Sequence, residues 1–142
     1  TPRANYGWPA VSKGINYSGA YISPLRSAPG IEEPLTYWVP SIGASGLTIY
    51  HGDAFSEWRG KHFLGALVDE EVRMLTLSQG EVISDEVMFP EVNARIRDVR
   101  TGPDGMLYLL TDSAQGKVIR VVPANAEAAL NSQTSNALED QS

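Results

Sequence analysis

Glycine, proline and Asn/Asp turns interrupt this sequence every several residues, which leaves no uninterrupted window for a long amphipathic helix. Between the turns lie short runs that are mostly β-branched or aromatic, as is typical of strands. The predicted strands are Leu35–Val39, Gly46–Tyr50, His62–Leu67, Val72–Leu77, Glu81–Met88, Ile96–Thr101, Leu107–Thr111 and Val118–Val122. An all-β chain of short strands at this spacing predicts a sandwich, a barrel or a propeller.

A weak internal repeat bears on the choice among these three architectures. The segment His62–Leu75 parallels the segment Met106–Val121, and Phe63 precedes Tyr108 by 45 positions. A period in the mid-forties that holds about four strands is typical of a propeller blade. The repeat is loose, so on its own it leaves the propeller and the sandwich equally open.

The composition fits one folded domain followed by a polar tail. The 142 residues are 42% hydrophobic and 20% charged with a net charge of -6, which excludes a wholly disordered chain. Residues 124–142 hold three of the net negative charges and few large apolar side chains, and they are predicted to form a disordered acidic tail. The folded part, residues 1–123, has length for about two and a half to three blades, whereas a closed propeller needs roughly four or more. We therefore expect the chain to be a fragment of a longer propeller.

Charge and residue usage exclude several classes of function. The acidic balance makes nucleic acid or an anionic membrane surface a poor partner, and no run approaches the ~20 apolar residues of a membrane span. The lack of cysteine excludes disulfides and thiolate chemistry. No Ser-His-Asp order, Walker loop, HExxH or Cys/His cluster supports a hydrolase or a nucleotide-dependent enzyme. The first four residues also lack the apolar region of a signal peptide.

Five groups of short motifs follow one another in a fixed order. They are Asn5-Tyr6-Gly7-Trp8-Pro9, Gly14-Ile15-Asn16-Tyr17-Ser18-Gly19, Gly65-Ala66-Leu67, Arg95-Ile96-Arg97-Asp98-Val99 with Gly102-Pro103-Asp104-Gly105, and Leu109-Leu110-Thr111-Asp112. Together they resemble the C-terminal part of the soluble PQQ-dependent aldose sugar dehydrogenases, the glucose/sorbosone dehydrogenase family. The match runs from Asn5 to about Pro123. This resemblance implies a six-bladed β-propeller, of which the chain forms the last two to three blades.

The resemblance also implies a function. Members of the family bind pyrroloquinoline quinone (PQQ) and calcium, oxidise aldose sugars to lactones by hydride transfer to PQQ, and pass the electrons to a soluble acceptor. Their general-base histidine lies upstream of the matched segment, and neither His51 nor His62 matches it, so we expect the chain alone to be inactive. A periplasmic or secreted location is implied as well. The alternative is a non-enzymatic extracellular propeller of the same superfamily that serves as a binding module.

The resemblance carries over a set of candidate cofactor-binding residues. They are Tyr17, Ala66, Leu67, Val68, Arg95, Ile96 and Arg97. Arg95 and Arg97 alternate along a predicted strand, so both guanidinium groups should face one side, where an anion such as the PQQ carboxylates would fit between them. Spacing alone favours a solvated strand face with Asp98 or Glu91 as the counter-charge, whereas the resemblance favours the cofactor site.

Val68 is the point at which the sequence departs from the family. Many relatives carry a lysine here that pairs with a cofactor carboxylate, whereas valine leaves only backbone and van der Waals contact. Lys61 and Arg73 are the cations nearby in sequence. The loss favours the non-enzymatic alternative, while the intact arginine motif opposes it.

Three single residues and one acidic run also receive individual predictions. Tyr6 matches a calcium ligand of the family that is implied to act through its backbone carbonyl, with an acidic partner upstream. Tyr17 offers a flat ring and a hydroxyl to the cofactor. Trp8 is predicted to be a packing residue that anchors its turn. The run Asp69-Glu70-Glu71 is predicted to be a solvated turn, because consecutive side chains in a hairpin do not converge on a metal.

Overall fold

The computed structural model describes residues 3–8 and 10–124, so that nearly all of the predicted tail at 124–142 lies outside the described residues. The strands in this part of the chain are β1 (Ala44–Ile49), β2 (His62–Ala66), β3 (Val72–Ser78), β4 (Glu81–Met88), β5 (Ile96–Thr101), β6 (Leu107–Thr111) and β7 (Val118–Val121). Two 3-10 turns, Ser56–Trp58 and Pro90–Val92, are the helical elements of the described ranges, and no helix there is long and apolar enough to cross a membrane.

Seven of the eight predicted strands form, and the one at Leu35–Val39 is wrong. This stretch is irregular and pairs with no strand of the described chain. Pro34 and Pro40 flank it, and proline has no backbone N–H to give to a sheet. Trp38 instead packs against the small cluster around Ile42, and its indole donates a hydrogen bond to Asp85 at 2.9 Å. Side-chain packing therefore holds this segment in place of backbone pairing.

The strands form two antiparallel meanders, in the orders β1-β2-β3-β4 and β5-β6-β7. Phe63 is the second residue of β2, and Tyr108 is the second residue of β6, so the repeat of 45 positions relates one sheet to the next. The two sheets lie side by side, with β5 packed against β1 and β2. Successive antiparallel meanders of about four strands are the blades of a β-propeller. The first sheet has four strands and the second has three within the described residues, and the predicted all-β propeller fold is confirmed.

The main core lies where the two sheets meet. Its largest fully buried side chains are Tyr50, Phe63, Val72, Ile96, Val99, Leu107 and Leu109. The ring of Tyr50 meets Phe55 and Phe63 edge-on, at centroid distances of 6.0 and 6.3 Å. The Tyr50 hydroxyl donates a hydrogen bond to the carbonyl of Gly105 at 2.5 Å and accepts one from the Phe55 amide at 3.1 Å. A buried tyrosine thus joins the end of β1 to the β5–β6 turn of the next sheet.

Two glycines let the backbone of β5 lie directly on the first sheet. A Cβ atom on Gly46 would come within 2.7 Å of the Cα of Asp98. A Cβ atom on Gly65 would come within 2.9 Å of Ile96 Cγ2 and 3.0 Å of the Ile96 carbonyl oxygen. The Ser45 hydroxyl donates to that same carbonyl at 2.6 Å. At these two glycines, the backbone of the first sheet therefore lies in direct contact with β5, and there is no space for a side chain.

We expect Gly65→Ala to lower the free energy of unfolding by about 1–3 kcal/mol, because the added methyl group must push β5 away from β2. Denaturant unfolding of the parent protein measures the loss. Gly116→Ala is the matched control, since its Cβ would meet nothing closer than the Thr111 carbonyl at 3.2 Å. An equal loss of unfolding free energy in both variants would show that the contact between β2 and β5 is not the cause of the destabilisation.

Candidate functional site

Two arginines at the start of β5 meet on a single carboxylate oxygen. Arg95 Nε and Nη2 donate to Asp112 Oδ2 at 3.1 and 3.0 Å, and Arg97 Nη2 donates to the same atom at 3.0 Å. The pairing of Ile96 with Thr111 across β5 and β6 produces this contact, because Arg95 and Asp112 are the next residues outward. The Asp112 amide accordingly donates to the Arg95 carbonyl at 2.8 Å. The two predicted site arginines do face one side.

The predicted counter-charges are wrong. Asp98 accepts a hydrogen bond from Arg100 Nε at 2.9 Å and from the Val99 amide, and it makes no ion pair with Arg95 or Arg97. A register shift lies between Ile96 and Asp98, which separates the arginine end of β5 from the remainder of the strand. Glu91 forms no ion pair within the described residues. Asp112 follows the predicted strand Leu107–Thr111, and a hairpin register drawn from the sequence would have indicated it.

Arg95 also reaches the end of β2. Its Nη1 atom donates to the Leu67 carbonyl at 3.3 Å. On their other side, the Leu67 and Val68 amides donate to the carbonyls of Gly43 and Ile42 at 3.0 and 2.9 Å. Backbone hydrogen bonds thus fix the Leu67–Val68 segment beside the arginines, and the structure brings four of the predicted site residues together.

Val68 also forms part of the wall of an open cavity of about 590 Å³. The side chain of Val68 is 63% exposed and faces the same cavity as Tyr17 and Trp8. Tyr17 is fully exposed at the tip of a turn in which Asn16 Oδ1 accepts hydrogen bonds from the amides of Ser18 and Ala20, at 2.8 and 3.2 Å. The turn places the phenol ring at the cavity, where a ligand could stack on it.

Trp8 is not the packing residue that its motif predicted. Its side chain is 73% exposed and lies at the cavity. The turn packs through Gly7, whose φ is +84° and whose added Cβ would lie 2.8 Å from Ile31 and 3.0 Å from Val11. Because the backbone of Gly7 takes the buried position, the indole beside it points outward. A second flat ring therefore joins Tyr17 at the cavity.

Two predicted site residues are buried. Ala66 and Ile96 each have 0% exposure, and Ile96 belongs to the main core, whereas Ala66 packs with Ile42 and Leu64. Neither side chain can face a ligand in the cavity. Both residues are neighbours in sequence of more exposed site residues, and their own part in cofactor binding stays a prediction.

Neither neighbouring cation replaces the lysine that Val68 lacks. Arg73 is bound by three carboxylates, those of Glu71 at 2.5 Å, Asp85 at 3.4 Å and Asp69 at 3.8 Å. Asp69 and Glu71 of the acidic run are therefore paired with Arg73, whereas the sequence predicted a solvated turn. Lys61 precedes β2 whereas Val68 follows it, so the two lie at opposite ends of a five-residue strand that spans roughly 16–17 Å.

The described residues do not form a calcium site of their own. Among them, no group of three or more acidic or histidine side chains could hold a metal ion. Calcium takes six to eight oxygen ligands, and the single backbone carbonyl predicted for Tyr6 supplies one. Both histidines lie away from the arginines: His51 lines a cleft with Gly102 and Gly105 beyond the other end of β5, and His62 begins β2.

Arg95 holds the pKa of Asp112 below its ordinary value of 3.8, with Arg97 adding to the effect and partial burial opposing it. A carboxylate whose pKa is lower in the folded than in the unfolded state stabilises the fold above the unfolded pKa, and this contribution is lost as the pH falls through the folded pKa. We therefore expect Asp112→Asn to destabilise the parent protein at neutral pH, and we expect the difference from the wild type to shrink as the pH falls below 3.8 and through the lowered pKa of Asp112. Denaturant unfolding across this range is the measurement, and a difference independent of pH would contradict it.

Comparisons with known proteins indicate the family of the chain. The sequence profile described as Glucose / Sorbosone dehydrogenase matches residues 1–120. Aldose sugar dehydrogenase YliI of Escherichia coli (strain K12) is 43% identical over 123 residues, which are 85% of this chain and 33% of that protein. The chain thus spans about a third of the length of this relative.

Solved structures give the same result. A crystal structure of a glucose dehydrogenase is 44% identical with a TM-score of 0.78, over 84% of this chain and 35% of that one. The soluble aldose sugar dehydrogenase from Escherichia coli in the apo-form is 41% identical with a TM-score of 0.78, over 85% and 35% of the two chains. The PQQ-bound aldose sugar dehydrogenase from Streptomyces coelicolor, at 20% identity and a TM-score of 0.52 over 83% and 32%, shares the fold. With a family profile matched over most of its length, the chain belongs to the glucose/sorbosone dehydrogenase family.

Proposed function

We propose that the chain is the C-terminal part of a PQQ-dependent aldose sugar dehydrogenase, which oxidises aldoses to lactones with hydride transfer to PQQ and passes the electrons to a soluble acceptor. The observation that carries the proposal is the pair of half-exposed arginines, which are held on one carboxylate and linked through Arg95 to the carbonyl of Leu67, the residue before the cavity-lining Val68. A calcium requirement and a periplasmic or secreted location belong to the same proposal. The preceding blades of the parent protein would supply the calcium ligands and the general base.

The charge of the arginine cluster suits an anionic ligand. Arg95 and Arg97 contribute two positive charges and Asp112 one negative charge, so the cluster carries a net charge of +1. Each guanidinium has five N–H donors. Arg95 uses three of them and Arg97 one, which leaves two and four for a ligand. Paired guanidinium donors fit carboxylate oxygens well, and PQQ carries three carboxylates.

The cavity suits a flat, partly apolar ligand. Trp8 and Tyr17 present aromatic rings, and Val68 an aliphatic surface, within reach of the same open volume. Stacking on such rings orients a planar molecule and keeps water from its faces. PQQ supplies the hydride acceptor when it is bound. In this proposal, the residues of the chain bind and orient it: Arg95 and Arg97 hold carboxylates, while Tyr17 and Val68 limit its tilt.

Val68 gives the alternative function its support. An exposed aliphatic side chain at a position where relatives place a cation removes one attraction for a carboxylate. A propeller of this superfamily that binds partners without cofactor chemistry would tolerate that loss. The parent sequence discriminates between the two functions, because an upstream histidine base, a further basic residue for the quinone and a Gly-Pro calcium turn are needed by the enzyme alone.

We expect Arg95→Ala and Arg97→Ala to weaken PQQ binding by the parent protein about 10- to 100-fold, because each removes charge-assisted hydrogen bonds. Titration of the apo-protein with PQQ, followed by fluorescence, gives the affinity. Arg100→Ala is the matched control: this arginine lies on the same strand, is paired with Asp98 and is remote from Asp112. Unchanged half-saturation in both site variants would refute the proposed function.

We expect Val68→Lys to tighten PQQ binding by up to about 30-fold, the upper range for one charged hydrogen bond less the cost of desolvation. Arg73 is bound by carboxylates and Lys61 is remote, so the introduced ammonium has no competitor. The gain should fade with added salt. Val118→Lys, on an exposed valine of β7, is the control for a general charge effect. Equal tightening by both variants, or weaker binding by Val68→Lys, would contradict the missing-lysine account.

A further inference from the structure

We propose that Asp112 is a positioning residue for anion binding, whose one oxygen holds Arg95 and Arg97 in the arrangement that receives the cofactor carboxylates. The inference rests on the proposed function. It adds to the site an acidic residue, which carries the same sign of charge as the anionic ligand. A carboxylate in an anion site ordinarily repels the ligand, so its presence needs a physical reason.

The first step concerns the two guanidinium groups, which repel each other. Arg95 and Arg97 are about half exposed, with side-chain exposures of 47% and 51%, so without a partner both would spread into solvent. Three N–H groups, from both arginines, converge on Asp112 Oδ2. One atom thereby fixes the separation of two like charges.

The second step concerns the rigidity of the carboxylate itself. Asp112 follows the buried Thr111, whose amide and hydroxyl groups are both engaged by Lys117 across the β6–β7 turn. The Asp112 amide donates to the Arg95 carbonyl at 2.8 Å. Hydrogen bonds that involve the backbone therefore hold Asp112 and the residue before it. Arg95 is held in addition by its hydrogen bond to the Leu67 carbonyl. The arginines are already ordered before a ligand arrives, which lowers the entropy cost of binding.

The third step distinguishes positioning from competition. Of the ten guanidinium N–H donors, Asp112 takes three and Leu67 one, so six remain for a ligand. The cluster keeps a net charge of +1. A carboxylate that competed fully with the ligand would occupy the donor forks of both arginines. Asp112 Oδ2 takes the Nε–Nη2 fork of Arg95, but it takes only one N–H of Arg97 and leaves four. The geometry thus favours an arrangement that orders the donors without filling them.

The experiment is PQQ titration of the parent protein and its variants, with thermal unfolding as a check on folding. We expect Asp112→Ala to weaken PQQ binding about 5- to 30-fold, since both arginines are released and must be reordered on binding. We expect a smaller loss for Asp112→Asn, whose amide oxygen still accepts one hydrogen bond. If the alanine variant fails to fold, the near-isosteric asparagine variant carries the test.

A double-mutant cycle separates positioning from a merely structural role. If Asp112 acts through the arginines, Asp112→Asn should cause no further loss of PQQ affinity in a protein that already carries Arg95→Ala and Arg97→Ala. The lower unfolding temperature is expected in either case, because the ion pairs of Asp112 stabilise the fold, whereas a merely structural role would leave the PQQ affinity of the folded variant unchanged. Full additivity, unchanged affinity or tighter binding in the single variants would each overturn the inference. If the wild-type parent binds no PQQ, the proposed function fails and the inference with it, whereas normal wild-type binding with unaffected variants refutes the inference alone.

Discussion

The contact between the backbone of β5 and the first sheet, at Gly46 and Gly65, is the constraint on which the remainder of the structure depends. A side chain at either position would separate the sheets, because its first carbon would lie within 3.0 Å of atoms of Asp98 or Ile96. The approach closes the core around Ile96, which is fully buried. It also brings the start of β5 to the end of β2, where the candidate site lies. Both the core and the site therefore depend on the absence of a side chain at these two glycines.

This contact between the sheets allows the hydrogen bonds and ion pairs that form the candidate site. Once β5 lies at the end of β2, Arg95 can reach the Leu67 carbonyl, and the β5–β6 register presents Asp112 to both arginines. The result is a small cationic surface in which like charges are held together by a single acid. Next to it, the turn at Asn16 and the exposed backbone-supported Val68 supply an apolar wall. The packing of the sheets therefore sets the positions of Arg95, Arg97 and Asp112, and the attraction between their charges holds them together.

Much of the fold could be predicted from the sequence, because turns and short β-branched runs are local signals. Ile96–Thr101 and Leu107–Thr111 form with the predicted bounds. The prediction failed at Leu35–Val39, where composition suggested a strand but no pairing partner exists in the described chain. Composition reports the preference of a segment, whereas strand formation requires a neighbour.

The site was only partly predictable for a related reason. The shared orientation of Arg95 and Arg97 is a property of one strand, and it was found from their spacing. Their partner Asp112 directly follows another strand, so that identifying it required the register between β5 and β6. The exposure of Trp8 depends on Gly7 filling the space beneath it, which no local pattern encodes. Contacts between elements thus account for what the sequence left open.

The Tyr50 hydroxyl has a mechanical consequence when it is considered together with Arg95. Tyr50 joins the sheets at the far end of β5, through Gly105, and Arg95 joins them at the near end, through Leu67. A single attachment would act as a pivot and let one sheet rock against the other, but two attachments at opposite ends of a strand remove that rotation. The two sheets should consequently move as one rigid body. Neither attachment involves the segments that carry Trp8 and Tyr17, so a ligand that shifts these two rings at the cavity need not displace the arginines.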